Sequence, residues 1–184
     1  MTIRDIAGFC PEEAIWKMMV DVSSFLLKDE KSCFLSPDSV TVDGSTFIVE
    51  SDNKTSNEFL APEYNGAQKP DTKQMIWSLG AIAYYMATGH IVFGGHGGSY
   101  QKEHSSILLP ILPKGLQALT PVLHKCLCYD PKERINLKDL KDLSFNGWGT
   151  CEKQQRERTI VVKENTEKVI CNLDEKWPEK MTGI

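Results

Sequence analysis

Three groups of residues have side chains or backbone suited to chemistry: a glycine-rich run, scattered histidines and a close cysteine pair. Residues 94–98 read Gly-Gly-His-Gly-Gly, and glycine-rich runs can hold phosphate with their backbone N–H groups. Phosphate-binding loops of that kind continue into Lys-Ser or Lys-Thr, which this run does not. The pattern therefore predicts an ordinary flexible loop.

Metal binding and thiol chemistry are not favoured either. His90, His96 and His104 lack the i, i+4 spacing that places two imidazoles on one helix face. Zinc sites usually show two close cysteine pairs, whereas this chain has Cys126 and Cys128 as its one close pair. These two lie on different faces of a predicted helix, which argues against a redox reaction that uses both thiols. We expect reduced structural thiols, no metal and no cofactor.

Composition and charge narrow the class of partner. The 184 residues are 41% hydrophobic and 25% charged, an ordinary globular composition. The sequence has neither an apolar run long enough to cross a bilayer nor the pattern of a secretory signal, so we expect a cytoplasmic protein with no membrane partner. A net charge of −4 argues against nucleic-acid binding.

The charge is unevenly distributed along the chain. Residues 1–63 hold 12 acidic and 5 basic side chains, a net −7, whereas residues 64–184 hold 13 and 16, a net +3. An acidic first third could attract a basic segment of a partner protein, and a plain solvated acidic face is the alternative. The candidate partner-binding residues on such a face are Asp21, Asp29, Glu30 and Asp38.

The elements that must position any site are mainly helical. Apolar spacing predicts helices over residues 11–28, 73–87, 104–109, 115–128 and 137–143. Two β-branched runs around Asp43-Gly44 predict a short β-hairpin. We expect one domain over residues 1–148. Residues 149–184 form a C-terminal extension, in which the β-branched runs at 159–162 and 168–171 could make a second hairpin.

An ordered series of motifs resembles the helical C-terminal lobe (C-lobe) of a protein kinase. Residues 35–40 resemble the catalytic-loop segment Leu-Lys-Pro-Glu-Asn-Ile, and residues 61–63 match its Ala-Pro-Glu motif. Residues 76–80 match the start of the buried central helix, and residues 127–134 match the end-of-lobe motif Leu-x-x-Asp-Pro-x-x-Arg. The resemblance covers about residues 9–145 and implies a mainly α, C-lobe-like domain with a short hairpin. It also implies an ion pair between Glu63 and Arg134.

The positions that would carry phosphoryl transfer hold other residues. That chemistry needs a carboxylate beside the acceptor hydroxyl and Asp and Asn ligands for magnesium. In register with the kinase motifs, Phe34 stands at the catalytic-loop Asp and Ser39 at the metal-binding Asn. Met75 stands at the Asp that braces the loop, and Glu50 at the metal-binding Asp. With ten residues before the first predicted helix, we expect no strand-rich N-terminal lobe (N-lobe), no nucleotide binding and no catalysis.

A non-catalytic family is more similar still: the KIND module, a kinase C-lobe without its N-lobe. The matching segments are residues 12–16 (Glu-Glu-Ala-Ile-Trp), Ser36-Pro37, Asp43-Gly44, residues 61–63 and residues 77–80. The resemblance implies a signalling or cytoskeletal interaction module that captures a short, often basic, segment of a partner. The alternatives are a pseudokinase regulatory fragment completed or regulated by another chain and, third, an enzyme of unrecognised chemistry.

Overall fold

A computed structural model describes residues 1–28, 32–50, 56–103, 109 and 111–174 of the chain. These residues are mainly helical and include one two-stranded antiparallel sheet, which confirms the expected mainly α class with a short hairpin. Internal contacts divide the chain into two units, Met1–Trp148 and Gly149–Ile184. The residues of interest for function lie in the first unit.

Helix α1 spans Glu12–Lys28 and forms one wall of the core. Two acidic residues occupy its first turn, at the positive end of the helix dipole. Its buried side chains recur three or four positions apart, including Ile15, Met19, Val22 and Leu26. The helix predicted over residues 11–28 is therefore confirmed.

The expected hairpin is also present. Strand β1 (Val40–Asp43) pairs antiparallel with β2 (Thr46–Val49), with Val40 opposite Val49 and Asp43 opposite Thr46. Gly44 turns the chain between them at a φ of 59°, a left-handed conformation that glycine adopts without steric cost. The Asp-Gly signal thus predicted the hairpin, and the register places Gly44 and Ser45 in the two-residue loop.

Helix α2 (Thr72–Thr88) is the buried centre of the first unit. Asp71 caps its start by accepting a hydrogen bond from the backbone N–H of Gln74 at 2.8 Å, and Gly89 ends it at a φ of 71°. Helix α4 (Thr120–Cys126) crosses it closely at Gly80, where an added Cβ would lie 2.5 Å from the Cβ of Cys126. Glycine is therefore required at this crossing.

The segment between these helices departs from the sequence prediction. Strand β3 (Val92–Gly95) and helix α3 (Gly98–Glu103) occupy the run for which a flexible loop was expected. The helix expected over residues 115–128 is shorter, since a 3₁₀ turn at Gln117–Leu119 precedes α4. The helix expected over residues 104–109 lies outside the described residues except for residue 109.

The prediction of a second hairpin is wrong. Helix α5 spans Leu137–Asp174, so it replaces both the short last helix expected at residues 137–143 and the hairpin over 159–171. Extending a formed helix adds one hydrogen bond per residue without a new nucleation cost, whereas β-branched preference depends on a packed sheet surface. Glu152 and Arg156 support the helix one turn apart at 3.7 Å. No helix in the described part of the chain is long and apolar enough to cross a membrane.

Candidate functional site

The structure brings Glu63 and Arg134 together across seventy-one residues of sequence. Two parallel hydrogen bonds join them: Arg134 Nη1 donates to Glu63 Oε1 at 2.7 Å, and Nη2 donates to Oε2 at 3.1 Å. The side chain of Arg134 is 0% exposed and that of Glu63 is 24% exposed. Such a two-pronged pair fixes the orientation of both groups as well as their distance.

Arg134 also holds backbone from two further segments. Its guanidinium donates to the carbonyl oxygens of Cys128 at 2.9 and 3.0 Å, of Tyr129 at 3.2 Å and of Lys73 at 2.8 Å. Lys73 returns the contact by donating its ammonium to the carbonyl oxygen of Arg134. The arginine thus ties the segment after Pro62 to the start of α2 and to the turn after α4.

The position of the catalytic-loop Asp in the resemblance is occupied by a buried aromatic side chain. Phe34 is 7% exposed, and its ring meets Tyr64 edge-on with 5.7 Å between the ring centroids. A phenyl ring can neither accept the proton of a substrate hydroxyl nor hold a charge. The group that orients the acceptor in phosphoryl transfer therefore has no equivalent at this position.

The two positions that resemble magnesium ligands lie side by side, with different chemistry from a kinase. The backbone N–H of Glu50 donates to the carbonyl oxygen of Ser39 at 2.8 Å. The buried hydroxyl of Ser39 donates to the carbonyl oxygen of Ser36 at 3.0 Å and accepts from its N–H at 2.9 Å. The carboxylate of Glu50 is exposed and accepts a hydrogen bond from Thr41 at 3.1 Å. The Ser39 hydroxyl is therefore used to close a turn.

Helix α2 carries the third changed position and a buried polar chain. Met75 lies in the first turn of α2 and is 3% exposed. In the kinase resemblance it stands at the position of the Asp that braces the catalytic loop. The buried polar contact of this helix comes from Trp77, whose indole N–H donates to Gln101 Oε1 at 3.0 Å. Gln101 in turn donates to the carbonyl oxygen of Leu127 at 2.7 Å, which connects α3 to the end of α4. Trp77 was expected in the core, whereas no pattern in the sequence indicated Gln101 as its partner.

The structure describes two of the four residues of the candidate acidic face, and both make hydrogen bonds within the chain. Asp29 and Glu30 lie outside the described residues. Asp21 is 16% exposed, pairs with Lys17 at 2.5 Å and accepts the backbone N–H of Phe47 at 3.0 Å. Its carboxylate is therefore used to attach α1 to β2, and its part in a binding face stays a prediction.

Asp38, the remaining member, is exposed and paired. Its carboxylate takes two hydrogen bonds from Arg4, at 2.6 and 2.7 Å, and the hydrogen bond to Asp38 raises the pKa of the Arg4 guanidinium. The side chains are 43% and 56% exposed, so water still reaches both charges. Binding of a basic partner through this face stays a prediction.

A cavity of about 340 Å³ lies between the segment after the hairpin and the glycine-rich run. Its floor includes Leu60, Ala61 and Pro62, and its rim includes the exposed residues His96, Ser99 and Lys102. The cavity was not predicted from the sequence, because its two segments, residues 57–64 and 95–102, are about thirty residues apart along the chain. The one available signal was the run of four glycines, which permits another backbone to come close.

The glycine-rich run forms the cavity wall through that close approach. Gly97 has a φ of 51°, and a Cβ there would lie 2.5 Å from the carbonyl oxygen of Glu58. The N–H of Gly98 donates to the carbonyl oxygen of Leu60 at 3.0 Å, and a Cβ at Gly98 would clash with Leu60 and Pro62. These glycines therefore dock one backbone segment onto another.

Histidines and cysteines form no metal site in the described parts of the chain, where no three His, Cys, Asp or Glu side chains cluster. His90 and His96 are exposed, and His104 lies outside the described residues. Burial raises the pKa of the Cys10 thiol to about 11 and also raises that of Cys126. Both groups are therefore held in the unreactive thiol form at neutral pH.

Comparison with known proteins agrees with the order of the motifs. A family model described as "Protein kinase domain" matches residues 40–146, which is more than half of the 184 residues. The matched range includes the hairpin, the Glu63–Arg134 pair and α2. A search of the curated proteins finds no match.

Proposed function

Because the chain belongs to the protein kinase domain family, we propose that it is a non-catalytic interaction module, which uses the kinase scaffold to capture a short segment of a partner protein. One observation carries the proposal. In register with the kinase motifs, Phe34 stands at the position of the catalytic carboxylate, and its side chain is buried at 7% exposure against the ring of Tyr64. Substrate orientation by that residue is lost with the carboxylate.

The contrast between lost and retained features supports this function. The two magnesium-ligand positions are adjacent through the Glu50–Ser39 backbone hydrogen bond at 2.8 Å, yet the Ser39 hydroxyl closes a turn. The brace between Glu63 and Arg134 is complete, with both hydrogen bonds at 3.1 Å or less. The structural pair Glu63–Arg134 of the kinase motifs is present, whereas Phe34 and Ser39 stand at positions needed for phosphoryl transfer. This combination favours a role in binding.

Within the family, we assign the chain to the KIND type of module, acting in cytoplasmic signalling. The early Glu-Glu-x-Ile-Trp motif of that type has a structural role that supports the assignment. The indole N–H of Trp16 donates to Glu12 Oε1 at 2.9 Å, and its ring packs against Gly147, where a Cβ would lie 2.6 Å away. The motif thereby joins α1 to the start of α5.

A thermal scan with ATP and Mg²⁺ tests the proposal. A ligand at one hundred times its Kd stabilises a protein by about 2.7 kcal/mol, and about 2–4 °C per kcal/mol is expected for a domain of this size. Bound nucleotide would therefore raise the Tm by roughly 5–10 °C. We expect no shift with ATP and Mg²⁺ together, measured against Mg²⁺ alone, while an active kinase in the same plate shifts. A shift of several degrees would contradict the proposal and favour the nucleotide-regulated pseudokinase fragment.

A further inference from the structure

The cavity between residues 57–64 and 95–102 has a distinct electrostatic character. Lys102 is exposed on its rim, and no acidic side chain is paired with it in the described part of the chain. His96 and Asn57 add further polar groups at the rim. Among the described residues that line the cavity, none carries a carboxylate. The fixed charge on the described lining of the cavity is therefore positive, although the chain as a whole carries −4.

The two nearby acidic groups that the structure describes, Glu58 and Glu63, do not cancel this charge. The carboxylate of Glu63 is taken by Arg134 at 2.7 Å. Glu58 does not line the cavity, and its charge contributes to raising the pKa of Arg4. The hydroxyl of Ser99 already donates to the carbonyl oxygen of His96 at 2.6 Å, so it does not serve as a donor to a ligand. Lys102 is thus the main anchor available to an anion.

The walls of the cavity are formed before a ligand arrives. Gly97 and Gly98 hold the rim segment against the carbonyl groups of residues 57–60, with the Gly98 N–H donating to Leu60 at 3.0 Å. Ala61 and Pro62 are buried, and the next residue is fixed by the buried Arg134. A site on such a floor loses little conformational entropy when it binds.

We propose that this cavity binds the carboxylate of an Asp or Glu side chain in an extended segment of a partner protein. The inference rests on the proposed interaction function and gives its partner a chemical class. It differs from the basic segment that the sequence predicts, because it follows the charge of a formed cavity instead of the net charge of residues 1–63.

The size and donors of the cavity favour one carboxylate over other anions. At about 340 Å³ with an exposed rim, the cavity accepts one side chain while the rest of the segment stays outside. A phosphorylated side chain carries a charge of about −1.5 to −2, whereas the described lining of this cavity holds one lysine and no arginine. One lysine matches the single charge of a carboxylate.

A paired peptide array tests the assignment on the full chain. The array holds capped nonapeptides with varied uncharged flanks and a central Glu, beside the same peptides with a central Gln or phosphoserine. We expect a subset of Glu peptides to bind at least tenfold more tightly than their Gln counterparts. Lys102→Ala should remove that preference, since a charge-assisted hydrogen bond contributes about tenfold in affinity. Lys102→Arg should retain it.

Lys138→Ala is the matched control, because Lys138 is an exposed lysine that does not line the cavity. It should leave the Glu preference unchanged. Equal binding of Glu and Gln peptides, a Glu preference that survives Lys102→Ala, or binding confined to phosphoserine would each overturn the inference. If one of these results occurs and ATP with Mg²⁺ does not shift the Tm, the proposal of a non-catalytic module is not contradicted. A nucleotide shift would refute that module whatever the array shows.

Discussion

Replacement of Arg134 is the sharpest test of the scaffold. The side chain is 0% exposed and donates six hydrogen bonds: two to Glu63, two to Cys128 and one each to Tyr129 and Lys73. Arg134→Ala removes them all and leaves the carbonyl groups and the Glu63 carboxylate without their partner. Breaking a buried ion pair from one side typically costs about 3–5 kcal/mol. The partial exposure of Glu63 lets water recover some of that loss.

The expected result is a large fall in thermal stability. About 3 kcal/mol in a domain of this size corresponds to a Tm lowered by roughly 6–12 °C. Arg4→Ala is the matched control, because Arg4 also makes a two-pronged pair with a carboxylate, at 2.6 and 2.7 Å, but on the surface. Exposed pairs contribute about 0–1 kcal/mol, so the control should move the Tm by a few degrees at most.

A double-mutant cycle then isolates the pair itself. The unfolding free energies of Glu63→Ala, Arg134→Ala and the double variant, from denaturant titrations, should be non-additive by about 0.5–3 kcal/mol. The single change at Glu63 should cost less than that at Arg134, since the arginine keeps its backbone acceptors. An Arg134→Ala variant that melts with the wild type, or no more than Arg4→Ala, would refute the brace.

Three further predictions concern packing and thiol reactivity. Gly147→Ala should lower the unfolding free energy by about 1–3 kcal/mol in a denaturant titration, because its Cβ would lie 2.6 Å from the Trp16 ring. Gly149→Ala, with nothing within 4 Å, should be neutral or slightly stabilising, and equal effects of the two would contradict the contact. Gly98→Ala should be destabilising by a similar amount and should abolish Glu-peptide binding, which a thermal scan and the array would measure together. Cys10 should react slowly with iodoacetamide at pH 8 and faster up to its pKa of about 11, as followed by mass spectrometry, and rapid labelling at pH 8 would contradict the raised pKa.

The raised pKa of Cys10 also sets the sign of a stability effect. The unfolded thiol ionises near 9.0, whereas the folded one holds its proton up to about pH 11. The folded chain therefore binds more protons in that window, and the contribution of Cys10 to stability is present below pH 9 and is lost as the pH rises from 9 to about 11.

The first unit could be predicted well where local signals and burial agree. Helix α1 follows from its apolar stripe, the hairpin from Asp43-Gly44, and α2 from a long apolar run between a capping Asp71 and the left-handed Gly89. Each of these segments also buries its predicted face. Propensity and packing favoured the same structure, which is the condition under which sequence patterns are reliable.

The C-terminal helix was missed because local preference and context disagree. Residues 159–162 and 168–171 are rich in β-branched side chains, and these favour strands when a sheet surface is available to pack on. The chain is already helical from Leu137, so each added residue gains a hydrogen bond without a new nucleus. A hydrophobic pattern assessed in short windows does not account for the low cost of extending a helix that has already formed.

The site was predictable in part, for reasons of distance along the chain. The Glu63–Arg134 pair followed from a resemblance in motif order and is present in the structure. The contact of Asp21 with the backbone of Phe47 could not be predicted from sequence, because it joins α1 to β2. The cavity beside Lys102 likewise arises from a tertiary approach of two backbone segments, which composition does not encode.

Transfer of labelled γ-phosphate tests the central claim most directly. The full chain is incubated with ATP, Mg²⁺ and a mixture of Ser, Thr and Tyr peptides, and label is counted on the peptides and on the chain itself. With Phe34 at the carboxylate position and the Ser39 hydroxyl closing a turn, incorporation should equal that of a heat-denatured sample. Incorporation that rises with time and with chain concentration, and that requires Mg²⁺, would contradict the account.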